Sequence, residues 1–84
     1  MMSMSPHEHR VSAACWALVA DEAEYLRSQL VTAPHGVDND LAYDKADRQA
    51  KLARAREEAH RAYASLTEAL AEVAERLALA EGAA

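Results

Sequence analysis

The chain has 84 residues and a formal net charge of -5, with only two glycines, two prolines and no phenylalanine. Its composition predicts long helices, and its acidic balance argues against a nucleic-acid-binding surface. Cys15 has no second cysteine to pair with, the start "MMSMSPHEHR" lacks a signal-peptide core, and "AACWALVA" is too short to cross a bilayer, so we expect a cytoplasmic protein without membrane contact.

Residues 1–5 are predicted to be a flexible N-terminus, and the first helix begins directly after them. In "SPHE", Ser5 occupies the N-cap position, Pro6 the first helical position and Glu8 the third, which forms a capping box. Apolar residues then recur at helical spacing, at Val11, Cys15, Leu18, Val19, Leu26 and Leu30. We predict a helix over about 6–33, with a buried structural cysteine at position 15.

Pro34 and Gly36 predict a loop over 34–39, after which the second helix runs over about 40–81 without glycine or proline. A short loop between two helices predicts an antiparallel hairpin, so the fold class is all-α with one domain over 6–81. Pairing about the loop sets residue i near residue 73 minus i. The acidic stretch 21–24 then faces the basic stretch 48–54, so the basic residues are expected to serve internal ion pairs.

The C-terminal stretch "ASLTEALAEVAERLALA" extends beyond the first helix in this pairing. Its apolar residues alternate steps of four and three, at Tyr63, Leu66, Leu70, Val73 and Leu77. This spacing is typical of a coiled-coil seam, and a monomer would leave it exposed to water. We therefore predict self-association of the long second helix into a helical bundle. In the alternative, the helix breaks near Ser65 and its last part folds back.

Two charged residues interrupt the apolar pattern. Glu22 lies on the apolar stripe of the first helix, and Arg56 interrupts the seam of the second helix. A carboxylate in such a place has to be paired, protonated or bound to a metal. We predict that Glu22 and Arg56 are buried and that Glu22 pairs with a cation inside the hairpin.

A metal site is the alternative explanation for Glu22. Glu57 and His60 form a Glu-x-x-His pair on one helix face, the spacing by which ferritin-like bundles hold two iron or manganese ions. Glu22 and Glu57 lie out of register in the predicted hairpin, so only a dimer could bring the three residues together. The expectation is a protein without a metal cofactor.

The predicted hairpin also resembles the small acidic hairpins of the WXG type, which are secreted as heterodimers. The stretch "YDKAD" matches a Tyr-x-x-x-Asp pattern at Tyr43 and Asp47. The loop reads "PHG" instead of Trp-x-Gly, and the tyrosine pattern opens the second helix instead of following the hairpin. The resemblance is therefore one of general shape, and it implies a heterologous protein partner.

Three functions remain open from the sequence. Ser28 and Ser65 have no histidine at helical spacing, and no glycine-rich phosphate loop occurs, which leans against an enzyme. The main expectation is a non-catalytic protein-binding or regulatory module that acts as a homo-oligomer. The alternatives are a ferritin-like metal-binding bundle and a secretion-type hairpin with a different protein as its partner.

Overall fold

Two helices joined by a short loop account for nearly all of the computed structural model, which describes residues 4–83. Helix α1 spans Pro6–Val31 and helix α2 spans Val37–Ala83, with 26 and 47 residues respectively. They pack against each other along their length, as an antiparallel hairpin. The predicted all-α hairpin with a long second helix is thus confirmed. Residues 1–3 of the predicted flexible N-terminus lie outside the described residues.

The capping box at the start of α1 is present as predicted. Ser5 Oγ accepts a hydrogen bond from the Glu8 backbone N–H at 3.1 Å, and Glu8 Oε1 accepts one from the Ser5 N–H at 3.3 Å. Together the two bonds satisfy backbone donors that a helix N-terminus otherwise leaves unpaired. The start of α1 is therefore determined by three residues of local sequence.

The loop is shorter than the predicted 34–39, because α2 begins at Val37. The Asp40 N–H donates to the Gly36 carbonyl at 2.9 Å, and the Asn39 side-chain amide donates to the Pro34 carbonyl at 2.5 Å. At the other side of the loop, the Thr32 hydroxyl donates to the Gln29 carbonyl at 3.0 Å, where α1 ends. These bonds satisfy backbone groups that the end of α1 and the start of α2 would otherwise leave without partners.

Alanine forms the contact between the two helices. The buried apolar residues of the described chain are Ala13, Ala20, Ala23, Ala46, Ala50, Ala53 and Ala64, all at most 7% exposed. With half-buried neighbours they recur at alternating steps of four and three along both helices, which we call the seam. The seam comprises His9, Ala13, Trp16, Ala20, Ala23, Arg27 and Leu30 on α1, and Asn39, Tyr43, Ala46, Ala50, Ala53, Glu57, His60, Ala64 and Thr67 on α2.

The predicted apolar stripe of α1 does not form the core of the hairpin. Val11, Leu18 and Leu26 are 49–66% exposed, and Cys15 is exposed instead of buried. Small side chains on both helices let the backbones approach closely, and the two rows of alanine meet for this reason. The larger aliphatic side chains are displaced to an outer face.

The hairpin is long and thin. It measures 72 × 23 × 14 Å and its radius of gyration is 20.0 Å, whereas a compact chain of this length has about 12 Å. Arg10, near the start of α1, pairs with Glu68 of α2. Ala64 is buried and Thr67 half-buried, whereas every side chain from 69 to 82 is exposed, so residues 69–83 continue beyond α1. We call this segment the overhang.

Candidate interaction surface

One long edge of the hairpin is charged. In both helices the ion-pairing residues of this edge either belong to the seam or directly follow a seam residue, as Glu24 follows Ala23 and Arg54 follows Ala53. The Arg54 guanidinium donates to Glu24 at 2.6 Å and to Asp21 at 2.6 Å. The predicted pairing of the acidic stretch with the basic stretch is confirmed in these two contacts.

Glu57 occupies a seam position beside this edge. Its side chain is 14% exposed and accepts hydrogen bonds from Arg54 at 2.8 Å and from Arg61 at 2.9 Å. Hydrogen bonds from Arg54 and then from Arg61 hold the pKa of the Glu57 carboxyl below its ordinary value, against the effect of desolvation. Both carboxylate oxygens are therefore engaged within the chain.

Asp47 is held in a similar way nearer the loop. It accepts from Lys51 at 2.8 Å and from Arg27 of α1 at 2.7 Å. These two hydrogen bonds, the one from Lys51 being the larger effect, lower the pKa of the Asp47 carboxyl. The aspartate of the Tyr43–Asp47 pattern is thus part of the hairpin's internal ion pairs. The charges of this edge largely neutralise one another.

The opposite edge is apolar. Here each large residue directly precedes a seam residue or, beyond Thr67, a position that continues the same spacing. We call this the apolar face; it consists of Cys15, Val19 and Leu26 on α1, and Leu52, Tyr63, Leu66, Leu70, Val73 and Leu77 on α2. Because the helices are antiparallel, residues that precede the seam lie on the same side of the hairpin in both. The two stripes therefore form one surface.

The predicted partner residues all belong to this face. Tyr63, Leu66, Leu70, Val73 and Leu77 are 51–61% exposed in the single hairpin. The face continues from the two-helix region into the overhang without a break. Between the stripes, the Arg56 guanidinium lies 4.5 Å from the centroid of the Trp16 ring, which is a cation–π contact.

The predicted burial of Glu22 and Arg56 within the hairpin is wrong. Both residues are exposed, and none of the hydrogen bonds or salt bridges between described residues joins them. The acidic residues that reach a cation on α2 are instead Asp21 and Glu24, because they lie on the charged edge. Glu22 directly precedes seam residue Ala23 and lies on the apolar face.

The alternative metal ligands are not brought together in this chain. Glu57 is occupied by two arginines on the charged edge, and Glu22 lies on the apolar face. His60 contacts His9 across the seam, with their Nδ1 atoms 2.9 Å apart, and the His9 ring stacks on Tyr63. Within residues 4–83, no three histidine, cysteine or carboxylate side chains cluster as metal ligands would.

The leucine-rich stripe is visible in the sequence, whereas the packing role of alanine was not predicted from it. Ala46, Ala50 and Ala53 are recognisable as an apolar row, but small side chains give a weak hydropathy signal. The clearest available clue is the match between two alanine rows at the same alternating spacing, one on each helix.

Comparison with protein-family models, with curated proteins and with solved structures finds no match to this chain. Neither α1 nor α2, over the part of the chain described, is apolar over a length that could cross a membrane.

Proposed function

We propose that the protein is a non-catalytic helical interaction module that pairs with a second copy through its apolar face, forming a four-helix bundle. The observation that carries the proposal is the uncovered face itself. Over the described residues, the fully buried apolar side chains are all alanines, and most of the leucines, valines and tyrosines are largely exposed. Soluble monomers rarely keep an apolar surface of this extent uncovered.

The energetics favour covering the face. Burying the seven seam alanines contributes on the order of 6 kcal/mol, at about 0.8 kcal/mol for each methyl-sized group. Leu66, Leu70, Val73 and Leu77 are about half exposed, so covering them fully would add roughly 3–6 kcal/mol per copy. Association therefore supplies stabilisation comparable to that of the hairpin's own core.

The area available matches what a stable dimer requires. The chain exposes 6571 Å², whereas a compact monomer of 9.1 kDa exposes about 4,900 Å². The excess of about 1,700 Å² exceeds the roughly 800 Å² that each partner contributes to a standard interface. A second copy offers an apolar face of the same length and the same helical spacing, which a two-fold interface requires.

The test is the oligomeric state of paired variants measured by sedimentation equilibrium. Leu70→Glu together with Leu77→Glu places carboxylates on the apolar face and is expected to give a monomer. The matched control is Ala62→Glu with Ala69→Glu, which adds the same charge at the same spacing of seven. Both alanines are exposed and lie off the apolar face. This control is expected to remain dimeric.

A wild-type protein that is monomeric at high micromolar concentration would contradict the proposal. In that case the apolar face would have to be covered by a different protein, as a secretion-type hairpin requires. Equal dissociation of both double variants would also count against it, since added charge alone would then explain the effect.

A further inference from the structure

Beyond the first turn of α2, the charges on the apolar face are segregated by helix. On α1, Glu8 and Glu22 directly precede seam residues, and both are acidic. On α2, Asp38 holds the same position beside the loop, and the charged residues that follow in this position, Lys45 and Arg56, are both basic. Away from the loop, the face of α1 is therefore apolar with negative charge, and the face of α2 is apolar with positive charge.

We infer that, in the pair, each α1 packs on the α2 of the other copy, with Glu22 of one protomer bonded to Arg56 of its partner. This inference rests on the proposed self-association and specifies its geometry. Packing α1 on α2 puts opposite charges together, whereas packing like helices together would set acid against acid and base against base. Such like-charge contacts are costly at an interface.

The offset between the two residues along the hairpin is one that an arginine side chain spans. Arg54 of α2 reaches both Asp21 and Glu24 of α1, so it bridges the offset along the axis that separates it from Glu24. Moving two residues toward the C-terminus of α2 and two toward the N-terminus of α1 keeps this offset unchanged, since the helices are antiparallel. That step arrives at Arg56 and Glu22.

Symmetry then brings the two residues together. A two-fold axis along the hairpin keeps every level of one copy opposite the same level of the other, and it places each α1 over an α2. The two hairpins point the same way. Within one chain, Glu22 and Arg56 are both exposed, and no salt bridge between described residues joins them. The Trp16 ring already holds Arg56 on the apolar face, at 4.5 Å.

The first test is a charge-reversal cycle, read as the dimer dissociation constant from sedimentation equilibrium. Glu22→Arg and Arg56→Glu are each expected to weaken the dimer by about tenfold or more, because each reversal acts at two symmetric contacts. The double variant restores opposite charges and is expected to recover most of the affinity. Glu58→Arg, on an exposed residue next to the charged edge, is the control and should change affinity by less than about threefold.

The second test measures the direction of the hairpins. The His35→Cys substitution in a Cys15→Ala background allows one nitroxide label in the loop of each copy. Double electron–electron resonance then measures the distance between the two labels. Hairpins pointing the same way place both loops at one end, at less than about 30 Å. Hairpins pointing in opposite directions separate the loops by about 40 Å or more, since α1 alone is about 39 Å long.

The outcomes distinguish this inference from the proposed function. A dimer in which the double reversal is no stronger than the weaker single variant, or in which the loops are far apart, overturns the inference and leaves self-association standing. A wild-type monomer overturns both. Recovery in the double variant together with a short loop distance supports the arrangement.

Discussion

At the scale of single residues, Glu57 has one role predicted from its sequence spacing and a different one in the structure. Its spacing with His60 is that of a metal-ligand pair, but in the hairpin both its oxygens accept hydrogen bonds from arginines. The Glu57 carboxylate must therefore be ionised to accept these hydrogen bonds. Hydrogen bonds from basic side chains lower the pKa of Glu57 and that of Asp47 for the same reason.

The hairpin is expected to lose stability in acid through these two carboxylates. A carboxyl with a lowered folded-state pKa contributes stability that is present above its ordinary pKa and lost as pH falls through the lowered value. The urea midpoint should thus hold between about pH 7 and pH 5 and fall below about pH 4. Glu57→Gln should lower the midpoint at pH 7 and make the acid loss shallower.

Glu58→Gln is the matched control, since Glu58 is the next residue and is exposed. It should leave the midpoint at pH 7 nearly unchanged, within about 0.5 kcal/mol of wild type in unfolding free energy. Equal effects of the two substitutions would mean that the arginine contacts of Glu57 do not contribute.

At the scale of the element, the seam depends on the size of its residues. Ala20, Ala53 and Ala64 are at most 1% exposed, so no space remains for a larger side chain between the helices. The alternating steps of four and three keep these small residues aligned along both helices. The seam therefore determines which side of each helix turns inward and how closely the two backbones approach.

Enlarging one seam residue should destabilise the hairpin. Ala53→Leu is expected to cost about 1–3 kcal/mol in unfolding free energy, because the added atoms force the helices apart. Ala55→Leu, two residues later on an exposed position, should change stability by less than about 0.5 kcal/mol. Chemical denaturation at one protein concentration measures both. Similar costs at the two positions would contradict the close seam.

At the scale of the whole molecule, the overhang links folding to association. Residues 69–83 have no α1 beside them, and an isolated helix of this length is marginal in water. In the proposed bundle, the overhangs of the two copies would lie at the same end and cover each other through Leu70, Val73 and Leu77. Order in this segment should therefore depend on concentration.

Hydrogen exchange checks this dependence. Amides in residues 70–82 should exchange slowly at concentrations well above the dimer dissociation constant, and at least tenfold faster well below it. Amides around Ala20 and Ala50, inside the seam, should change much less. Rapid exchange of the overhang at every concentration would show that nothing covers it in the dimer.

The sequence by itself determined the two helices, their antiparallel order and the start of α1, because capping residues, proline, glycine and helical spacing act locally. It also identified the apolar row Tyr63–Leu77. Only the tertiary structure decided which face turns inward. Each helix carries an alanine row and a leucine-rich row, and local preference cannot choose between them. The choice depends on how closely two backbones approach when alanine meets alanine, which is a property of the pair of helices. Because the alanine rows turn inward, Glu57 lies among arginines and Glu22 lies on the outer face.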